Sequence, residues 1–222
     1  MMKVKYRLFS FGLLLAIGFG SCNDGKKIDR DLVEEVNKAN EVKKLGEAEI
    51  TEHAMEWGDE ISMAAQKELM GVLQKAIEEN GAEEAVGFCN TEALKITKKV
   101  ADKYKVNIRR VSVKNRNPQN SPNEKELELL DAYAYNVNNN VDNHANIQKL
   151  DDGQTLLYTK AITIPNGLCL NCHGEPGKEI NESTLEKINS LYPEDKAIDF
   201  KVGDLRGMWS IEMPKKEVVK DI

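Results

Sequence analysis

Residues 166–176 read NGLCLNCHGEP. Cys169 and Cys172 stand two residues apart, and His173 follows at once. A Cys-x-x-Cys-His run is the attachment signature of a c-type haem. The reason is geometric. Two thiols add to the vinyl groups on adjacent edges of the porphyrin, and a short turn of helix holds both on one side of the ring. The next residue then lies under the iron, where its imidazole becomes an axial ligand. On this reading Cys169 and Cys172 carry one covalently attached haem c, and His173 is its proximal ligand. Other chemistries use the same residue types. A zinc site usually needs a second ligand pair, and only Cys89, His53 and His144 remain to supply it. A thioredoxin-like redox pair sits after an early strand and opens a long helix. Here the pair is late, with Pro165-Asn166-Gly167 before it and Gly174 after it. A structural disulfide is the remaining alternative.

Cys89, in AVGFCNTEA, is left over once the other cysteines are assigned. An unpaired thiol in an oxidising compartment is unusual. It is either a buried core thiol, as helices often carry, or the second axial ligand on the far side of the iron. His53, His144 and Met208 compete for that second role. His53 lies on a charged helical face, and His144 lies among Asn and Asp in a loop. Arg110 and Arg116 are candidates to hold haem propionates, because guanidinium forms strong charge-assisted bonds with carboxylates. Tyr135, Tyr158 and Trp209 could pack on the ring or simply fill the core.

The elements that must position these residues change character along the chain. Leu32, Val36, Ala39, Val42 and Leu45 recur at helical spacing, and Gly46 breaks the pattern. Ile61, Ala65, Leu69, Leu73 and Ile77 mark a second helix, which Asn80-Gly81 stops. A third runs from about Ala82 to Tyr104 and carries Cys89. Then VNIRRVSVK (106–114) alternates apolar and polar side chains, as a half-buried strand does. A loop over 115–123, a helix from Glu124 to about Asn138 and a strand over 154–164 follow. A short helix is expected from Ser183 to Leu191. Residues 197–214 read as a hairpin turning near Gly203-Asp204. The fold class is α+β: long N-terminal helices packed with an antiparallel β-sheet.

The N-terminus fixes the compartment. Lys3, Lys5 and Arg7 precede an apolar run from Leu8 to Phe19, too short to span a bilayer comfortably. Gly20 and Ser21 lead into Cys22, and the segment resembles a bacterial lipobox, in which the cysteine is lipidated. The organisation that follows is a signal peptide over 1–21, a lipid-anchored tether and leader helix over 22–45, and the main domain over 46–222. Removing the signal takes the formal charge from -6 to -9. With no basic patch, nothing argues for a nucleic-acid partner.

Four spaced segments resemble the Tll0287-like family of exported c-haem domains. They are AVGFCNTEA, RRVSVKNRNPQNSPN, CLNCHGEP and YPEDKAIDFKVGDLRGMWSI, in that order, over roughly residues 60 to 214. Where the family usually has an aromatic glycine before its Gly-Asp, this chain has Asp199-Phe200. The resemblance implies a PAS-like sheet with haem held against it, and His173 and Cys89 as the two axial ligands.

The expected function is not enzymatic. It is an exported lipoprotein of the bacterial envelope, facing the periplasm, that senses redox state or a diatomic gas through His/Cys-ligated haem c. A low-potential electron-transfer cytochrome is the alternative, and a zinc-stabilised interaction lipoprotein the second alternative. The expected partners are the membrane, reached through the lipid on Cys22, and a redox or signalling protein.

Overall fold

The computed structural model describes residues 30, 31, 33, 45–150 and 152–222. Cys22 and the expected signal peptide lie outside them. Residues 30, 31 and 33 are helical. From Leu45 onward the chain forms one compact unit.

Helix α1 spans Glu47–Tyr104 and turns back on itself at Gly81, whose φ of 81° and ψ of 175° are not helical. Glycine adopts a positive φ without the steric cost of a Cβ, so Gly81 makes the corner of a helical hairpin. The two arms run antiparallel. Trp57 meets Tyr104 edge-on at 6.3 Å, Tyr104 donates to Glu60 at 2.8 Å, and Lys99 reaches Glu68 at 3.5 Å.

The sheet contains β1 (Asn107–Val111), β2 (Asn146–Lys149), β3 (Thr155–Thr163) and β4 (Leu205–Pro214). Its order is β1-β4-β3-β2, and every pairing is antiparallel. β4 sits inside with a helix on each face. Ile211 and Met213 pack with Ile50, Ala54 and Ile61 of α1. Met208 packs with Leu130 and Tyr133 of α2 (Glu124–Asn138) on the other side. A strand covered on both faces needs no strict alternation, which accounts for adjacent Met208 and Trp209 packing in different clusters.

The same two-faced geometry sorts β1. Ile108 belongs to the core against α1, while its neighbour Arg109 makes a bidentate pair with buried Glu126 of α2 at 2.9 and 3.1 Å. Glu126 also accepts from Ser210 at 2.7 Å and closes the capping box of α2 with Asn123. Arg110 then shares the α1 side with Ile108, because side chains alternate along a strand.

The rest of the chain is short elements. α3 is the single turn Leu170–His173, entered through a 3-10 turn at Gly167–Cys169. α4 covers Glu182–Leu191, and α5 covers Lys215–Asp221.

Two details depart from the sequence expectation. Residues 197–204 are not the first strand of a hairpin. Their backbone groups bond elsewhere: Asp199 N–H to Gly174 O and Phe200 N–H to His173 O, both at 2.9 Å, and Gly203 N–H to Ile164 O at 2.9 Å. The fourth strand is instead β2, a four-residue edge strand where no element was expected.

Candidate functional site

One end of the α1 face of the sheet is not filled by helix. The walls there enclose a cavity of about 620 Å³. Met63, Leu69, Met70 and Leu73 come from the first arm of α1, and Val86, Cys89 and Ala93 from the second. Arg110, Lys160, Ile162 and Trp209 come from the sheet. Their neighbourhood follows from register, since Trp209 is opposite Arg110 on one side and Lys160 on the other. Leu168, Cys169, Cys172 and His173 close the third side. Seven residues singled out from the sequence thus share one cavity: Cys89, Arg110, Arg116, Cys169, Cys172, His173 and Trp209.

Gly207 lets the strands approach at the rim. A Cβ there would lie 2.4 Å from the carbonyl oxygen of Val111.

Other candidates lie elsewhere. His53 pairs with Asp221 of α5 at 3.1 Å. His144 and Tyr135 are exposed. Met208 and Tyr158 are fully buried in the core.

His173 is held from two sides. Its Nδ1 donates to the carbonyl of Ala197 at 2.8 Å, and Nε2 accepts from Nε of Arg206 at 3.5 Å. Burial, with the Arg206 and Arg116 charges nearby, holds its pKa well below the usual imidazole value, so the ring is neutral. Phe200 meets the ring edge-on at 6.1 Å. Lys114 and Arg206 lie 4.4 and 5.4 Å from the Phe200 ring centre.

Arg116 ties three segments together. It pairs with both oxygens of Asp195 at 3.2 and 3.1 Å, and it donates to Cys172 O at 2.6 Å and Ala197 O at 3.1 Å.

Arg110 has no carboxylate partner among the described residues; it lies 5.9 Å over Trp209. Burial lowers its pKa, and burial beside Arg116 and Arg110 pushes Arg206 down to about 9.

The thiols are free. Burial raises the pKa of Cys89, against the pull of Arg110 and Arg116. It also raises Cys169 and pushes Cys172 up to about 11, so all three are neutral thiols near pH 7.

This donor set does not support the expected metal chemistry. Among the described residues no group of three or more His, Cys, Asp or Glu side chains is placed to hold a metal ion. The lone pair of His173 that would meet an iron faces a guanidinium instead. Arg116, expected on a propionate, is committed to Asp195. The expectation of one covalent haem c ligated by His173 and Cys89 is corrected on these grounds. The electron-carrier and iron-based sensor readings fall with it, and so does the zinc alternative.

The sequence model of the Tll0287-like family matches residues 30–214. The chain belongs to the Tll0287-like family. Among solved structures it is similar to one titled the crystal structure of the cyanobacterial heme-protein Tll0287. The identity is 21%, the match covers 84% of this chain and 97% of that one, and the TM-score is 0.49. No curated protein sequence matches.

Sequence reasoning missed Arg206 as a site residue, although its Arg-Gly pair was part of the resemblance. It also missed Tyr192, which lines the same cavity. The available signal for Arg206 was an arginine at the edge of an otherwise apolar strand.

Proposed function

We propose that this chain is the ligand-binding domain of an exported sensor, and that its ligand is a largely apolar organic anion. One observation carries the reading. The cavity wall presents Lys67, Arg110, Arg116, Lys160 and Arg206, and not a single carboxylate. This occurs in a protein with 37 acidic and 31 basic residues. Asp59 compensates Lys160 at 2.7 Å, and Asp195 compensates Arg116 at 3.1 Å. Arg110 and Arg206 receive no such partner among the described residues. A cation removed from water without an anion is costly, and an anionic ligand would relieve that cost. Much of the remaining wall is Leu, Ile, Val, Met, Ala and Trp, which suits an apolar body, with neutral polar groups such as Gln66, Asn90 and Asn115 beside it. Ligand sites commonly enclose roughly 300–1,000 Å³, and 620 Å³ lies within that range.

The lipobox-like sequence at Cys22 supports anchoring of this domain to a membrane, where a neighbouring signalling protein would read its state. A diacylated N-terminal peptide starting at Cys22 is the expected finding by mass spectrometry.

The ligand reading is tested with two dyes of similar shape. 8-Anilinonaphthalene-1-sulfonate is an apolar anion, and N-phenyl-1-naphthylamine is its neutral counterpart. The anion should bind at least ten times more tightly to the native protein, and Arg110→Gln or Arg206→Gln should remove most of that preference. Equal binding of the two dyes by the native protein would refute the proposal.

A further inference from the structure

The corner between the two arms of α1 holds a reactive pair that ligand binding does not use. Asn80 is followed by Gly81, which leaves the helix with φ 81° and ψ 175°. Both residues are exposed, and a Cβ built on Gly81 would meet nothing within 4 Å. Among the described residues no hydrogen bond holds the Asn80 carboxamide. The sequence has a second Asn-Gly pair, Asn166-Gly167. There the side chain is engaged: Asn166 Oδ1 accepts from Leu168 N–H at 3.1 Å and starts the 3-10 turn.

We propose that Asn80 is a site of deamidation in the native chain, and that the fold protects Asn166 from the same reaction. Asparagine is a thermolabile residue. The backbone nitrogen of Gly81 attacks Cγ of Asn80, and the new C–N bond closes a succinimide ring. The Cγ–Nδ2 bond breaks, and ammonia leaves with the amide proton of Gly81. Water then opens either imide C–N bond and returns a proton to the nitrogen. One opening leaves aspartate at position 80, the other isoaspartate. No electrons are exchanged. Glycine permits the attack because it has no Cβ to crowd the nitrogen. Helix ends fray, so the last residue of the first arm can reach the torsions that ring closure needs.

The product changes the corner in two ways. A new carboxylate joins Glu78, Glu79, Glu83 and Glu84, of which Glu79 already faces Lys75 at 3.8 Å. Isoaspartate also routes the backbone through the side chain and lengthens it where the arms meet. Those arms supply Met70 and Leu73 on one side of the cavity and Val86 and Cys89 on the other. Asn166 is different because its carboxamide is bound to Leu168, which keeps Cγ from turning onto the nitrogen of Gly167. The backbone after it is fixed as well, since Leu170 N–H donates to Gly167 O.

The test incubates the purified full chain in mildly alkaline buffer, native and in urea, and follows it by peptide mapping and by isoaspartyl methyltransferase labelling. In the native chain the peptide holding Asn80 should gain one mass unit and accept the methyl label. It should do so several times faster than the peptide holding Asn166. In urea the two pairs should react at similar rates, since glycine follows both. Asn80→Gln should remove the label from the native chain. A native chain in which Asn80 stays intact, in which Asn166 reacts as fast, or whose rate gap persists in urea would overturn the proposal. None of these readouts depends on the dye experiment, so the two proposals fail separately.

Discussion

Arg206 and Ala197 hold the imidazole of His173 from opposite nitrogens: Nδ1 donates to the Ala197 carbonyl at 2.8 Å, and Nε2 accepts from Arg206 Nε at 3.5 Å. Both bonds require a neutral ring with its proton on Nδ1. The folded pKa is depressed, so below the ordinary value near 6.5 the unfolded chain takes up a proton that the folded chain refuses. The contribution of His173 to stability is therefore complete above pH 6.5 and declines as pH falls below it. Ring chemical shifts should show the Nδ1–H tautomer from pH 8 to pH 6. Arg206→Gln should raise the pKa, because it removes the nearest cation. A native His173 that titrates at 6.5 or above would contradict this arrangement.

Arg116 is the strut of the site. Its side chain is 12% exposed and that of Asp195 is 5% exposed. Arg116→Ala would leave the buried Asp195 carboxylate without its charge partner and the Cys172 carbonyl without its guanidinium donor, while Ala197 O keeps the His173 Nδ1–H bond. Breaking a buried pair from one side costs about 3–5 kcal/mol. Urea unfolding should register a loss of that order. Arg116→Lys should recover only part of it, since a single ammonium cannot match the planar fork. A loss below about 1 kcal/mol, the surface-pair range, would show that the strut carries little.

Gly58 has a packing role. A Cβ at this position would lie 2.3 Å from the ring of Tyr158, whose hydroxyl donates to Asp59 at 2.5 Å. Gly58→Ala must push that ring off its site, so overpacking of about 1–3 kcal/mol is expected. It should appear as a lower melting temperature, even though alanine favours helix. A neutral or stabilising result would mean that the ring moves freely.

Thiol chemistry at α3 should be slow at neutral pH. Cys172 is pushed up to about 11, mainly by burial, and only thiolates attack disulfides. Alkylation of Cys172 by iodoacetamide should speed up about tenfold per pH unit until the thiol titrates. A rate that levels off near pH 8.5 would show an ordinary, solvated thiol.

Much of this was legible in the sequence. The helical hairpin could be read from the apolar spacing and from Asn80-Gly81. The extent of α2 followed from the spacing of Leu127, Leu130 and Tyr133 after the Asn- and Pro-rich loop. The shared neighbourhood of Cys89, Arg110 and the Cys-Leu-Asn-Cys-His turn came from the family resemblance, not from periodicity. What failed did so for local reasons. NIQK shows no alternation, so the edge strand β2 had no signal. Residues 197–204 resemble a strand in composition, but their hydrogen bonds go to His173, Gly174 and Ile164. The chemistry misled most. A Cys-x-x-Cys-His spacing specifies a turn geometry, whereas the groups that engage Nε2 of His173 and the guanidinium of Arg116 come from distant parts of the chain.

The most direct test is mass spectrometry of the exported, purified protein, native and then denatured, beside Arg206→Gln. The predicted result is a small anionic molecule that accompanies the native chain, leaves on denaturation and is depleted in the variant. An organic group still joined to Cys169 and Cys172 after denaturation would contradict it.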